Sequence, residues 1–270
     1  MKLFLMTDLE GVAGVINGAD WLYPTGRYHE NAKRLLTQEV NAAIDLFVAG
    51  GFDDILVCDG HGAGAINMEL LDPRVRLIRG WPRNAYPFGL DRSFDAMAYV
   101  GQHAKAGTPF SHLTHTGWWT VLDQSINGVS VGEYGEGALC GGELGVPMIF
   151  ASGEKAFCAE VAALTPWVLT VEVLEGTIGG TGDELNGEDY ERFHEGAIHL
   201  HPTRARELIH TKAREAVDAF RTDRARFTPL KLDPPYRLER VLRPYQGKPG
   251  RTIQVGHPSS VIALLNNKAG

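Results

Sequence analysis

Residues able to bind a metal stand just beyond apolar runs at several separate places in the chain. The stretch "MTDLEGVAG", residues 6–14, puts Asp8 and Glu10 directly after the apolar opening "KLFLM". "ILVCD" runs into Gly60-His61-Gly62, and "AMAYVGQ" runs into His103. Two carboxylates at i and i+2 of an extended segment point to the same side and can reach one cluster. Together with two imidazoles they make a mixed oxygen and nitrogen donor set, which suits a divalent cation, zinc first among the candidates. Glu133 in "SVGEYGEG" is a fifth candidate ligand. Asp8, Glu10 and Glu133 carry three negative charges. Two Zn²⁺ with a bridging hydroxide would neutralise them, whereas one ion would leave the centre net negative. Paired ions roughly 3.5–4 Å apart need a shared ligand, and Asp8 at the tightest turn is the natural bridge. Taken singly, each residue has another reading: an acid that caps a helix or faces water, a glycine-rich turn, a histidine satisfied in the core.

The elements around these residues explain how they converge. "KLFLMT", "DILVCDG", "VRLIRG", "DAMAYVGQH" and "VPMIFASG" are short, nearly continuous apolar runs bounded by Gly, Asp or Pro. Such runs predict strands buried on both faces of a parallel sheet. In an open parallel α/β sheet, ligands bind beyond the carboxyl ends of the strands, where Asp8, Glu10, His61 and His103 fall. "HENAKRLLTQEVNAAIDLFVAGG" repeats Leu36, Val40, Ile44, Phe47 and Val48 at helical spacing and stops at Gly50-Gly51. "PTRARELIHTKAREAVDAFRT" is an amphipathic helix opened by Pro202, with Ala205, Leu208, Ile209, Ala213, Ala216, Val217 and Phe220 in one stripe. "EKAFCAEVAAL" predicts a helix, "WVLTVEVLEG" a strand, and Asn127-Gly128 a β-hairpin turn. A helix starts near Glu133, in spite of the glycines in "YGEGALCGGELG". The expected fold is α/β: a mainly parallel central sheet flanked by helices, with a β-hairpin and a smaller C-terminal α+β region. The expected division is a metal-binding catalytic domain over residues 1–195 and the smaller region over 196–270.

Composition narrows the class. The 270 residues are 44% hydrophobic, enough for a packed core, and the formal charge of −7 with scattered basic residues gives no footprint for nucleic acid. No segment approaches the roughly 20 apolar residues of a membrane span, and the first apolar run is too short for a signal-peptide core. No membrane partner and a cytoplasmic location are therefore expected. Cys58, Cys140 and Cys158 are odd in number and far apart, which disfavours disulfides and fits a reducing compartment. The histidines at 29, 194, 199, 201, 210 and 257 have no strand-end placement. "HLHP" is a possible two-residue metal pinch, with a surface loop as the plainer reading.

The motifs also resemble a known family. "MTDLEG" is similar to the Ser/Thr-x-Asp-x-Glu-Gly opening of the DppA-type D-aminopeptidases, zinc peptidase family M55. "CDGHG" resembles its Asp-Ser-His element, "VGQHAKAGTP" its Gly-Tyr-His-Ala-x-Ala segment, "LTHT" its Ser-His-Ser element and "VGEYG" its Gly-Glu-x-Gly, in the same order. The resemblance implies a dinuclear zinc centre ligated by Asp8, Glu10, His61, His103 and Glu133. It implies that His115 is a catalytic histidine that is not a ligand, with His112 as the close rival. It also implies a short D-peptide substrate and a ring-like decamer, here expected as a large homo-oligomer. Gly60 and Gln102 depart from the family's serine and tyrosine, so the contacts that orient His61 and His103 should differ. The function implied is an aminopeptidase that releases N-terminal D-amino acids through metal-activated water. The rivals are another dinuclear hydrolase, with Lys105 and Arg27 holding an anionic substrate, and a non-catalytic metal- or peptide-binding protein.

Overall fold

The computed structural model describes residues 1–79 and 85–267. In chain order the elements are β1 (Lys2–Thr7), α1 (Gly18–Trp21), α2 (His29–Ala49), β2 (Asp54–Asp59), β3 (Arg76–Ile78), β4 (Ala96–Gln102), β5 (Val121–Ile126), β6 (Val129–Ser130), α3 (Glu133–Leu144), β7 (Met148–Glu154), α4 (Lys155–Leu164), β8 (Leu169–Gly176), α5 (Gly187–Phe193), β9 (Ala197–His199), α6 (Pro202–Thr222), β10 (Tyr236–Leu242), β11 (Arg251–His257) and α7 (Val261–Leu265). Seven strands form one sheet in the order β3-β2-β1-β4-β7-β8-β9. All its pairings are parallel except the last, where β9 runs against β8. The α/β architecture expected from the apolar runs is the one observed.

Alternation along the strands divides the core in two. Leu3 and Leu5 of β1 and Ala96, Ala98 and Val100 of β4 face a cluster containing the buried residues of α2 and α6. Phe4 and Met6 of β1 and Met97 and Tyr99 of β4 face the opposite cluster, which holds Tyr134 and Ala138 of α3 and Phe157, Cys158 and Val161 of α4. Each central strand is therefore apolar at nearly every position, because both of its faces are covered. The α2 and α6 stripes bury Leu36, Val40, Ile44 and Phe47, and Ala205, Ile209, Ala213, Ala216, Val217 and Phe220; Leu208 and Val48 are only half-buried. In α3, the Gly137 position lets the helix approach the sheet, since a Cβ there would lie 1.9 Å from the Tyr99 hydroxyl.

A second, antiparallel sheet has the order β11-β10-β5-β6. Its hairpin turns on Asn127 and Gly128, both at positive φ (52° and 80°), the conformation of the tight primed turn. This sheet packs with α7 and Leu139 of α3 around a third small core. It takes two strands from residues 121–130 and two from residues 236–257, one pair on each side of the 195/196 division. The "HLHP" histidines serve local structure. His199 ends β9 and accepts the Gly14 N–H, and His201 caps α6 by accepting the Thr203 N–H. Among the described residues no helix is long and apolar enough to cross a membrane.

Candidate metal centre

The strand order reverses direction between β1 and β4: β2 and β3 extend to one side, β7 and β8 to the other. A crevice opens at such a switch point, beyond the carboxyl ends of the strands. Asp8 follows β1, Gln102 ends β4 and His103 follows it. Their neighbours supply the rest: His61 two residues past β2, and Glu133 as the first residue of α3. Gly101 lets the Asp8 backbone lie close against the end of β4. Its φ is +82°, and a Cβ there would lie 2.2 Å from the Asp8 carbonyl oxygen.

The six residues singled out in the sequence come together in three overlapping triads of candidate ligands: Asp8, Glu10 and His61; Asp8, His103 and Glu133; and Glu10, His103 and His115. His61 Nδ1 lies 3.3 Å from Asp8 Oδ1 and 3.4 Å from Glu10 Oε2. His103 Nε2 lies 3.2 Å from Asp8 Oδ2 and 3.8 Å from Glu133 Oε1. Asp8 thus offers one oxygen to each imidazole, the arrangement a bridging carboxylate requires.

The outer nitrogens decide what the inner ones can do. His61 Nε2 donates to the Leu22 carbonyl at 2.9 Å, and His103 Nδ1 donates to the Ala104 carbonyl at 2.8 Å. In the neutral ring the nitrogen facing the carboxylates then carries a lone pair, and lone pair against carboxylate is repulsive unless a proton or a metal ion lies between. Burial works against charge at both imidazoles, yet the negative charge of Glu10 and the bond to Asp8 push His61 well above its ordinary value. Glu133 and Asp8 do the same for His103. Burial opposes ionisation of Asp8 too, but its pairing with His103 and His61 pulls it well below the carboxylate range. His103 Nε2 is fully buried and makes no hydrogen bond of its own. These donors fit a divalent metal.

His115 and His112 have separate surroundings. The His115 ring lies between His103 (ring centroids 4.2 Å apart, stacked at 15°) and Trp119 (4.2 Å), and its Nδ1 donates to the Leu113 carbonyl at 3.0 Å. That leaves Nε2 facing the cavity, 3.8 Å from Glu133 Oε1. Burial and the neighbouring His103 charge lower its pKa below the ordinary imidazole value. His112 is wholly buried behind the site, bonded through Nε2 to the Val15 carbonyl, and burial lowers it to about 4.

Several other residues support the ligands and the loops that carry them. Gln102 Nε2 donates to Asp8 Oδ2 at 2.8 Å and to Glu133 Oε2 at 3.1 Å, tying two acids together from the position where the family pattern has tyrosine. Arg79, just past β3, donates to the carbonyls of Asp59, His61 and Gly62 and so holds the His61 turn. Glu154, fully buried at the end of β7, accepts from the Ala104 N–H at 2.7 Å, the Ser111 hydroxyl and the His112 N–H. One carboxylate therefore clamps the loops that carry His103 and His115. The only sequence signal for Glu154 is an acid at a strand end, the same signal that marks Asp8. A cavity of about 490 Å³ opens over the cluster, walled by Tyr23, Tyr86, Phe88, Trp118 and Trp119. Neither Lys105 nor Arg27 lines it.

A doubly wound parallel sheet, with a buried set of carboxylates and imidazoles at its switch point, defines a protein able to hold divalent cations beneath a cavity. The comparisons make the class specific. The chain belongs to peptidase family M55, described as D-aminopeptidase, which matches residues 1–246. A D-aminopeptidase of Bacillus subtilis (strain 168) is 32% identical over 179 residues, covering 64% of this chain. The match spans 63% of that relative, less than two thirds of its length. The solved structure of the Zn-dependent D-aminopeptidase DppA from Bacillus subtilis, a self-compartmentalizing protease, shares the fold with a TM-score of 0.81. It is 23% identical, and the superposition covers 100% of both chains.

Proposed function

We propose that this chain is a zinc-dependent aminopeptidase that releases N-terminal D-amino acids, of the D-alanine type, from short peptides. The observation that carries the reading is the pair of ligand triads sharing Asp8 at the floor of a cavity. Membership of the family supports the reaction class, and the Zn-dependent structural neighbour supports the metal.

Glu10 and His61 would hold one ion, His103 and Glu133 a second, and Asp8 both, giving two zinc ions per subunit. When bound, zinc supplies Lewis acidity toward the scissile carbonyl and toward water. The protein's own groups do the rest. Gln102 fixes the Asp8 and Glu133 carboxylates, and the Leu22 and Ala104 carbonyls fix the two imidazoles. His115 is the catalytic residue. With Nδ1–H committed to Leu113, its Nε2 is an acceptor, suited to take a proton from the attacking water and pass it to the leaving amine rather than to donate first to an oxyanion. The absence of Lys105 and Arg27 from the lining weighs against anionic phosphate esters.

The proposal includes assembly into a homo-oligomer, a decamer by the family resemblance, which the description of the neighbour as self-compartmentalizing supports. It also includes a cytoplasmic setting, which three buried, unpaired cysteines suit. The test is metal analysis coupled to hydrolysis of matched D-Ala and L-Ala dipeptides, with Asp8→Asn as control. The expected result is two zinc ions per chain, release of D-alanine and loss of both in the variant. Zinc-loaded protein that cleaves phosphate esters and leaves D-peptides intact would refute the assignment.

A further inference from the structure

The cavity is larger and more aromatic than an alanine peptide requires. Its volume of about 490 Å³ lies within the roughly 300–1,000 Å³ of sites that enclose drug-sized ligands. Away from the ligand cluster its walls are Tyr23, Tyr86, Phe88, Trp118 and Trp119, and among the described residues no lysine or arginine lines it. Trp118 stands 48% exposed at the cavity although it is a large apolar side chain.

These walls are held in place. Tyr86 and Phe88 pack edge to face, with ring centroids 4.9 Å apart. The Tyr86 backbone is gripped on both sides by Asn266, whose Oδ1 accepts the Tyr86 N–H at 2.9 Å and whose Nδ2 donates to the Tyr86 carbonyl at 2.8 Å. Phe88 has φ of 55°, a left-handed conformation that a bulky residue adopts only where its surroundings compel it, and such residues gather at ligand clamps. On the other wall, Trp119 Nε1 donates to the Tyr23 hydroxyl at 3.0 Å, which donates in turn to Glu191 Oε1 at 2.7 Å. Rings fixed from behind, facing a cavity that among the described residues has no lysine or arginine in its lining, are a preformed subsite for a flat or bulky apolar group.

Resting on the aminopeptidase reading, we infer that this subsite takes a large apolar side chain of the peptide. The preferred substrates are then D-peptides bearing an aromatic residue beside the scissile bond, ahead of all-alanine peptides. Tyr86, Phe88 and Trp118 are specificity-determining residues of the same site.

The zinc-loaded full chain is assayed with D-Ala-D-Ala, D-Phe-D-Ala and D-Ala-D-Phe. Binding of D-phenylalanine amide and D-alanine amide is followed in parallel by tryptophan fluorescence. The expected result is kcat/KM about 10- to 100-fold higher for a phenylalanine peptide than for D-Ala-D-Ala, from burial of one aromatic side chain. Phe88→Ala and Trp118→Ala should bring that ratio toward one, and Phe88→Leu, which keeps apolar bulk, should retain part of it. Cleavage of D-Ala-D-Ala with no advantage for either phenylalanine peptide, or a ratio that neither alanine variant moves, overturns the inference and leaves the aminopeptidase reading standing. If no D-peptide is cleaved, that reading fails, and the amides still decide the subsite. Tighter binding of the phenylalanine amide that Phe88→Ala abolishes upholds it, and equal binding of the two amides overturns it.

Discussion

Glu39 offers a prediction that the metal does not enter. It sits on α2 behind the turn that follows Asp8 and Glu10, only 1% exposed, and one carboxylate oxygen accepts the Ala13 N–H at 3.0 Å. The other oxygen has no hydrogen-bond partner. Burial raises its pKa from the ordinary 4.5 to about 8, against the pull of the Ala13 N–H and the Arg206 charge. Below about pH 4.5 the carboxyl is protonated in folded and unfolded chains alike. Between there and about 8 only the folded chain keeps the proton, so rising pH favours unfolding, and above that window the loss is complete. At about 1.4 kcal/mol per pH unit, moving from pH 5 to pH 7.5 removes roughly 3 kcal/mol of stability through this one group. Glu39→Gln keeps the acceptor for Ala13 and abolishes the titration. Urea unfolding of both proteins at half-unit steps from pH 5 to pH 8.5 should show the variant gaining on the parent as pH rises. The other titrating groups are shared and cancel in the difference. A stability difference that stays flat across the range would refute the argument.

Three further outcomes follow from the site. Glu154→Ala leaves the Ala104 N–H, the His112 N–H and the Ser111 hydroxyl without their shared acceptor. At about 1–3 kcal/mol for each buried group, it should destabilise by roughly 3 kcal/mol or more and depress kcat. Ser111→Ala should show a fraction of both effects, and an unchanged urea midpoint in Glu154→Ala would show that the clamp is dispensable. Gln102→Leu removes the donor shared by Asp8 and Glu133 and should weaken zinc binding by about 10- to 100-fold in chelator competition. Unaltered affinity would deny Gln102 a positioning role. His115→Ala should keep its zinc and lose about 100- to 10,000-fold in kcat. Zinc loss instead would make His115 a ligand, as its place in a triad with Glu10 and His103 permits.

Much of the frame was legible because its signals are local. β1, β2, β4 and β7 read as apolar runs because both faces are covered, and α2 and α6 read from the 3.6-residue recurrence of their buried stripes. The start of α3 at Glu133 was legible as well, although its glycines act only through a neighbour, the Tyr99 hydroxyl lying under Gly137. The hairpin turn was plain in Asn127-Gly128, but its partner was not. β5 pairs with β10, more than a hundred residues later, and no local pattern carries that choice. The antiparallel edge strand β9 was hidden for the same reason, its three residues fitting a loop equally well.

The candidate site divides along the same line. The sequence by itself determined which donors are available and that each stands just beyond an apolar run, because strand periodicity and the glycine turns are written in consecutive residues. Tertiary structure alone decided that Asp8 turns one oxygen to each imidazole. It decided that His115 faces the cavity while His112 lies behind it, and that Glu154, Arg79 and Gln102 hold the loops and ligands. Orientation of that kind depends on backbone carbonyls and side chains that only the pairing of β1 with β4 brings within a few ångströms. "TDLEG" therefore announces the acids, and the switch point in the sheet determines what they meet.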